Sequence, residues 1–157
     1  MARRLLLSLT ILAVAGALVV WPVVGQAAGP TQTLRLFDKP VSLKLTHADG
    51  TVVTKQPFPE PKPGDILDVN SLDYRGDHKH HSKHFVASTH LRCVFATGEP
   101  TCESHVALGN SLLVFTGNPG TLTNATGIYQ GATGRVISSK EVKDDASDVV
   151  VRITLHA

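Results

Sequence analysis

The densest concentration of ligating side chains lies mid-chain. The tract Asp77-His78-Lys79-His80-His81-Ser82-Lys83-His84 carries four of the eight histidines. Imidazole nitrogen binds zinc, copper or nickel, and histidine-rich tracts read as metal sites. On an extended strand His78, His80 and His84 share a face, and His90 joins them. Lys79 and Lys83 oppose a bound cation, and no cysteine or second carboxylate stands at ligand spacing. Gly76-Asp77 opens the tract as a turn would. The preferred reading is a solvated hairpin tip, cationic at low pH once its imidazoles protonate. His78, His80, His81 and His84 remain a subordinate metal site, and no resident cofactor is expected.

Acid–base chemistry needs a carboxyl group on an apolar inward face, where burial shifts its pKa. Along residues 65–74, Asp68, Asn70 and Tyr74 share a face with Ile66 and Leu72, while Leu67 and Val69 occupy the other. Either face can be the inner one. The reading with Leu67 and Val69 inside, and Asp68 and Asn70 in water, is preferred. Thr89 and Ser104 fall in phase with Ala87, Leu91, Cys93 and Cys102. The candidate polar residues of a cavity are therefore Asp68, Asn70, Tyr74, Thr89 and Ser104. No serine, histidine and aspartate set has a nucleophile-elbow context, so hydrolase chemistry has no support. Asn124-Ala125-Thr126 is a glycosylation sequon, relevant only in a eukaryotic secretory pathway.

The two cysteines, Cys93 and Cys102, depend on compartment for their meaning. The chain opens with Ala2-Arg3-Arg4, runs uncharged from Leu5 to Val24, and then offers Gly25-Gln26-Ala27 as a small-residue cleavage site. This is the layout of a secretory signal peptide over residues 1–27. Pro22 and Gly25 break the apolar run, and no basic cluster follows it, so no stable membrane anchor is expected after cleavage. A secreted, extracellular destination favours a Cys93–Cys102 disulfide. Pairing Cys93 opposite Cys102 leaves Thr97-Gly98 as a two-residue turn. The cysteines then form a non-hydrogen-bonded cross-strand pair, whose closer spacing suits a disulfide. A redox-active role is disfavoured, since the spacing is not Cys-x-x-Cys.

These groups must be positioned by strands. Val41, Leu43 and Leu45 alternate with Ser42, Lys44 and Thr46; Phe85, Ala87, Thr89, Leu91, Cys93 and Phe95 alternate with Val86, Ser88, His90, Arg92 and Val94; and Val149, Val151, Ile153 and Leu155 alternate with Val150, Arg152 and Thr154. Period-two alternation means strands with one buried face. Further strands are expected at 65–74, 102–108, 112–116 and 134–142, separated by glycine and proline clusters. The Pro57–Pro63 stretch reads as a stiff surface connection. No segment carries a helical stripe. The 157 residues suit one domain. Residues 28–33 read as an N-terminal linker and 34–157 as an all-β domain, a small antiparallel barrel of roughly 7–8 strands. Without Arg3 and Arg4, Lys plus Arg falls from 15 to 13, equal to the 13 acidic residues. A neutral mature chain argues against nucleic-acid binding, where Lys and Arg release counterions.

One segment resembles a known family. Thr126-Gly127, Tyr129, Gly131-Ala132, Gly134 and Val136 fall in step with a glycine motif of the dirigent and allene oxide cyclase-like barrel superfamily. Pro63-Gly64-Asp65 and His90-Leu91-Arg92-Cys93 resemble a pattern in its secreted bacterial members. The resemblance spans residues 63–155. No lysine follows the glycines and no helix opens behind them, so they are neither a phosphate loop nor a dinucleotide fingerprint. Gly127, Gly131 and Gly134, beside Tyr129, read as a structural motif needing positive φ or close backbone approach. The resemblance implies a barrel with an apolar cavity, often trimeric, whose relatives hold reactive intermediates and steer cyclisation or coupling. The expected function is binding of a small apolar molecule, with weak catalysis or none. A cyclase- or isomerase-like enzyme, and a histidine-loop metal or surface binder, are the alternatives.

Overall fold

The computed structural model describes residues 28–156. The signal-peptide expectation for residues 1–27 lies outside them. Nine strands run through the described residues: β1 (Ala28–Thr46), β2 (Val52–Val53), β3 (Ile66–Gly76), β4 (His81–Val94), β5 (Thr101–Leu108), β6 (Ser111–Thr116), β7 (Thr121–Ala125), β8 (Thr133–Glu141) and β9 (Ser147–His156). One 3-10 turn, Gly127–Tyr129, joins β7 to β8. Every pairing is antiparallel, and β1 also pairs with β9, so all strands but β2 close into a ring. The fold is the all-β barrel that the alternation predicts. β2 only extends one end of β1, through Leu45–Val53 and Thr46–Val52.

Residues 28–33 are not a linker. They are the first part of β1, which pairs with β9 from Ala28–His156 to Asp38–Ser147. Thr31, Gln32 and Thr33 pair with Thr154, Ile153 and Arg152, and of these partners Ile153 is the buried apolar one. β7, a further strand not expected, is short and polar on its outer face, so alternation alone is too brief to reveal it.

Bulges reset the alternation. Between Pro40 and Ser42 the β1–β3 register shifts, leaving Val41 as the extra residue, and its side chain is 60% exposed. Pro40 has no N–H to give a ladder, which suits it to this position. A second shift pairs Asp73 with Ala87 but Tyr74 with Phe85. Val86 is the extra residue there, and Phe85 turns outward to 57% exposure instead of joining the inner face.

The disulfide Cys93–Cys102 joins directly opposed residues with Cα atoms 4.1 Å apart, the spacing of a non-hydrogen-bonded pair. The ladder ends at Val94–Thr101. The two-residue turn at Thr97-Gly98 is therefore replaced by a six-residue connection, 95–100. Phe95 has turned to the other side: its N–H donates to Asp65 O at 2.9 Å, and its carbonyl accepts from Gly64 at 2.8 Å. Pro100 has no N–H to continue pairing with β4.

The core fills one side of the barrel. Leu113, Phe115, Leu122, Tyr129, Val151 and Ile153 are buried together with Ala87 and Val106. The β7–β8 seam is the thinnest, held by the Thr121–Arg135 bridge and by Val136 N–H donating to Gly120 O at 2.8 Å. Outside the core, the Asp65 carboxylate fastens the long 47–65 loop. It accepts from the Ala48 N–H at 3.1 Å and the Lys62 N–H at 2.9 Å, and meets His47 Nδ1 at 2.9 Å. These hydrogen bonds, with that from Lys62 foremost, hold its pKa below the ordinary value.

Candidate cavity site

Strand parity decides what faces inward. On β3 the inner residues are Val69, Ser71 and Asp73. On β1 they are Leu36 and Asp38, and on β4 Thr89 and Leu91. These residues, with Val106, Phe115, Val136, Val149 and Val151 from the far wall, line a cavity of about 420 Å³. Ser104, Cys102 and the Gly117–Gly120 turn line it as well. The volume suits a compact one- or two-ring molecule.

The wall carries one concentrated polar feature. Asp38 and Asp73 are direct partners across the β1–β3 ladder, and both side chains reach the cavity. Asp73 is buried, 2% exposed, and its Oδ2 accepts from Thr89 Oγ1 at 2.7 Å. Burial pushes Asp38 up to about 7, with the facing Asp73 charge and their shared hydrogen bond adding to it, while the Ser71 hydroxyl opposes. Burial also raises Asp73, against hydrogen bonds from Thr89 and Asp38 that favour its ionised form. Two carboxyl groups this close cannot both ionise freely, so near neutrality they hold a proton between them.

The sequence-derived candidates divide. Thr89 and Ser104 line the cavity. Asp68, Asn70 and Tyr74 do not, because the inner face of β3 is the one bearing Val69. Asp68 lies in an outer groove with Lys44 Nζ at 3.2 Å, Arg92 Nη1 at 3.4 Å and His90 Nε2 at 3.5 Å. Asn70 donates to Ser42 Oγ at 2.9 Å. Tyr74 faces out against Phe37 and His81, with ring centroids 6.2 and 5.2 Å away. Asp38 and Asp73 were not singled out by sequence. The available signal was phase: Asp38 follows Leu34 and Leu36 at steps of two, and Asp73 follows Val69 and Ser71.

The histidines do not converge on a metal centre. His78 Nδ1 meets Asp148 Oδ2 at 2.6 Å, and its N–H donates to Asp148 Oδ1 at 2.7 Å. The His81 ring lies against Phe37 at 5.0 Å, and the His80 ring is exposed at the tip, its Nδ1 3.8 Å from Asp77 Oδ1. His84 is exposed on β4. Among the described residues, no three His, Cys, Asp or Glu side chains come together in a way that would hold a metal ion. The tract is split between a turn and the start of β4, and each ring follows its own neighbour.

The glycine motif is structural. Gly127 and Gly131 take φ of +63° and +75° around the 3-10 turn. That turn drives the Tyr129 ring, 5% exposed, into the core.

No protein-family model matches the chain, and no curated protein sequence matches it. Among solved structures the chain is similar to a pyocyanin demethylase, at 16% identity and a TM-score of 0.55, over 78% of this chain and 98% of that one. At such identity the likeness carries the small β-barrel fold, and it does not extend to membership of the dirigent and allene oxide cyclase-like superfamily.

Proposed function

We propose that this chain binds a small, largely apolar molecule inside its barrel, as a secreted protein. The observation that carries the reading is the cavity of about 420 Å³, apolar over most of its wall, with polar groups that include the Asp38 and Asp73 carboxyls and the Ser71, Thr89 and Ser104 hydroxyls. An apolar enclosure with a few convergent polar groups is the usual form of a small-molecule site. The structural neighbour is named for action on a small molecule, pyocyanin, which agrees with a barrel used in this way. The disulfide suits an oxidising compartment, and among the described residues no helix is long and apolar enough to cross a membrane. The dirigent and allene oxide cyclase-like resemblance, and with it a homotrimer, remain part of this proposal.

A second reading is an isomerase- or cyclase-like enzyme. It is favoured by Asp38, whose raised pKa of about 7 equips a carboxyl group to take and return a proton at neutral pH. Calorimetry with 1-naphthylmethanol tests the cavity. Binding is expected in the native protein and is expected to fall at least about tenfold in Val149→Trp, which places an indole in the enclosure. Mass spectrometry of solvent extracts of the purified protein should find a co-purifying compound. An empty extract together with no calorimetric binding would sink the reading.

A further inference from the structure

The cavity wall is chemically lopsided. It holds two carboxyl groups and, among the described residues, no lysine, arginine or histidine. Asp38 and Asp73 face each other from adjacent strands, and only the hydroxyls of Ser71 and Thr89 assist them. Of the charged neighbours in sequence, Lys39 stands at the opposite parity and is exposed, while Arg75 shares the parity of Asp73 but is exposed and lines a separate pocket with Leu34, Val86 and Leu108. Asp148, beside Ser147 on β9, also points away and is engaged by His78. Charge inside a low-dielectric enclosure is costly unless it finds an opposite charge. Among the described residues the wall provides none, so the charge is met either by a shared proton or by a cationic ligand.

We infer that the cavity is selective for cationic ligands: an apolar ring system carrying one ammonium or protonated ring nitrogen, which sits between the carboxyl groups of Asp38 and Asp73. This rests on the cavity-binding reading and names its ligand class. The apolar wall from Val106, Phe115, Val149 and Val151 receives the ring, and the carboxyl pair receives the positive end. An anion of the same shape meets repulsion and finds no cation to meet it. Because burial raises the Asp38 pKa to about 7, and its neighbours across the ladders are Asp73 and the uncharged Ser147, with the Ser71 hydroxyl nearby, the pair gains negative charge as pH rises through neutrality. A bound cation favours that ionised form, so binding at neutral pH expels part of a proton.

Three ligands with one ring system separate the terms: 1-naphthylmethylammonium, 1-naphthylmethanol and 1-naphthoate. Titration calorimetry is run with each at pH 5.5 and pH 8, and with the ammonium at pH 7 in two buffers of different ionisation enthalpy. The ammonium is expected to bind at least about tenfold more tightly than the alcohol at pH 8, with the ratio shrinking at pH 5.5. The naphthoate is expected to bind more weakly than the alcohol. A buffer-dependent enthalpy should report proton release. In Asp38→Asn/Asp73→Asn the ammonium-to-alcohol ratio should fall to about one. The pH and buffer series on the native protein decide the matter if that variant does not fold. Equal affinity for ammonium and alcohol at both pH values would overturn the inference while leaving cavity binding intact. No binding of any of the three would overturn the cavity reading as well.

Discussion

A carboxyl group placed opposite another inside a barrel is a residue whose charge works against the fold. Asp38 has its pKa raised to about 7 in the folded state, above the ordinary 3.8. A raised carboxyl pKa means that the folded form binds the proton more tightly than the unfolded chain does. Its stabilising effect is therefore fully present below the unfolded value and is lost as pH rises through about 7. Asp38→Asn, whose amide can donate to Asp73 as the protonated acid does, should melt about 3–6 °C above the native protein at pH 8 and close to it at pH 4. Parallel melting curves at the two pH values check this, and an equal offset at both would refute it. Thr89 and Ser104 were legible as cavity residues because they share phase with obvious core positions on β4 and β5. Asp38 and Asp73 share phase with Leu36 and Val69 just as plainly. Their charge hid them, since an aspartate in a strand ordinarily marks the wet face, and only a partner across the ladder makes it tolerable inside.

At the scale of elements, the strands obey period two until a bulge intervenes. Alternation placed Ala87, Leu91 and Cys93 correctly and misplaced Val41 and Phe85, each next to a register shift. A bulge needs an unpaired residue on one strand, so it depends on the partner and leaves little local trace. The glycine segment was more legible. Gly134 lies in β8 so close to β9 that an added Cβ would stand 2.6 Å from Arg152 O and 3.2 Å from Ile153 Cα. Backbone cannot withdraw as a side-chain tip can, so Gly134→Ala must part the two strands. The expected loss is about 2–3 kcal/mol, with the amides of 152–154 exchanging faster than in the native protein. A urea midpoint unchanged from the native one would show that β8 and β9 absorb the methyl group without separating.

The whole molecule depends on closure. β1 is the one strand that pairs with β2, β3 and β9, and its first residues complete the ring against the end of β9. A closed barrel has no free ladder to offer other chains, whereas an opened one exposes an edge. Deleting residues 28–33 strips the β1 partners of Arg152, Ile153 and Thr154 and leaves them paired with β8 alone. The truncated chain should lose its cooperative melt or melt at least about 10 °C lower, and it should self-associate in sedimentation. A monomer that melts like the native protein would mean that these residues contribute nothing to closure. Residue periodicity and turn-forming glycines and prolines were enough to specify an all-β chain, most of its strands and the cross-strand cysteine pair, because these follow from local geometry. Which strands close the ring, where the register slips, and that two aspartates thirty-five positions apart meet inside it, are set by long-range pairing. Such pairing has no local signature: it is chosen by the joint burial of many side chains at once.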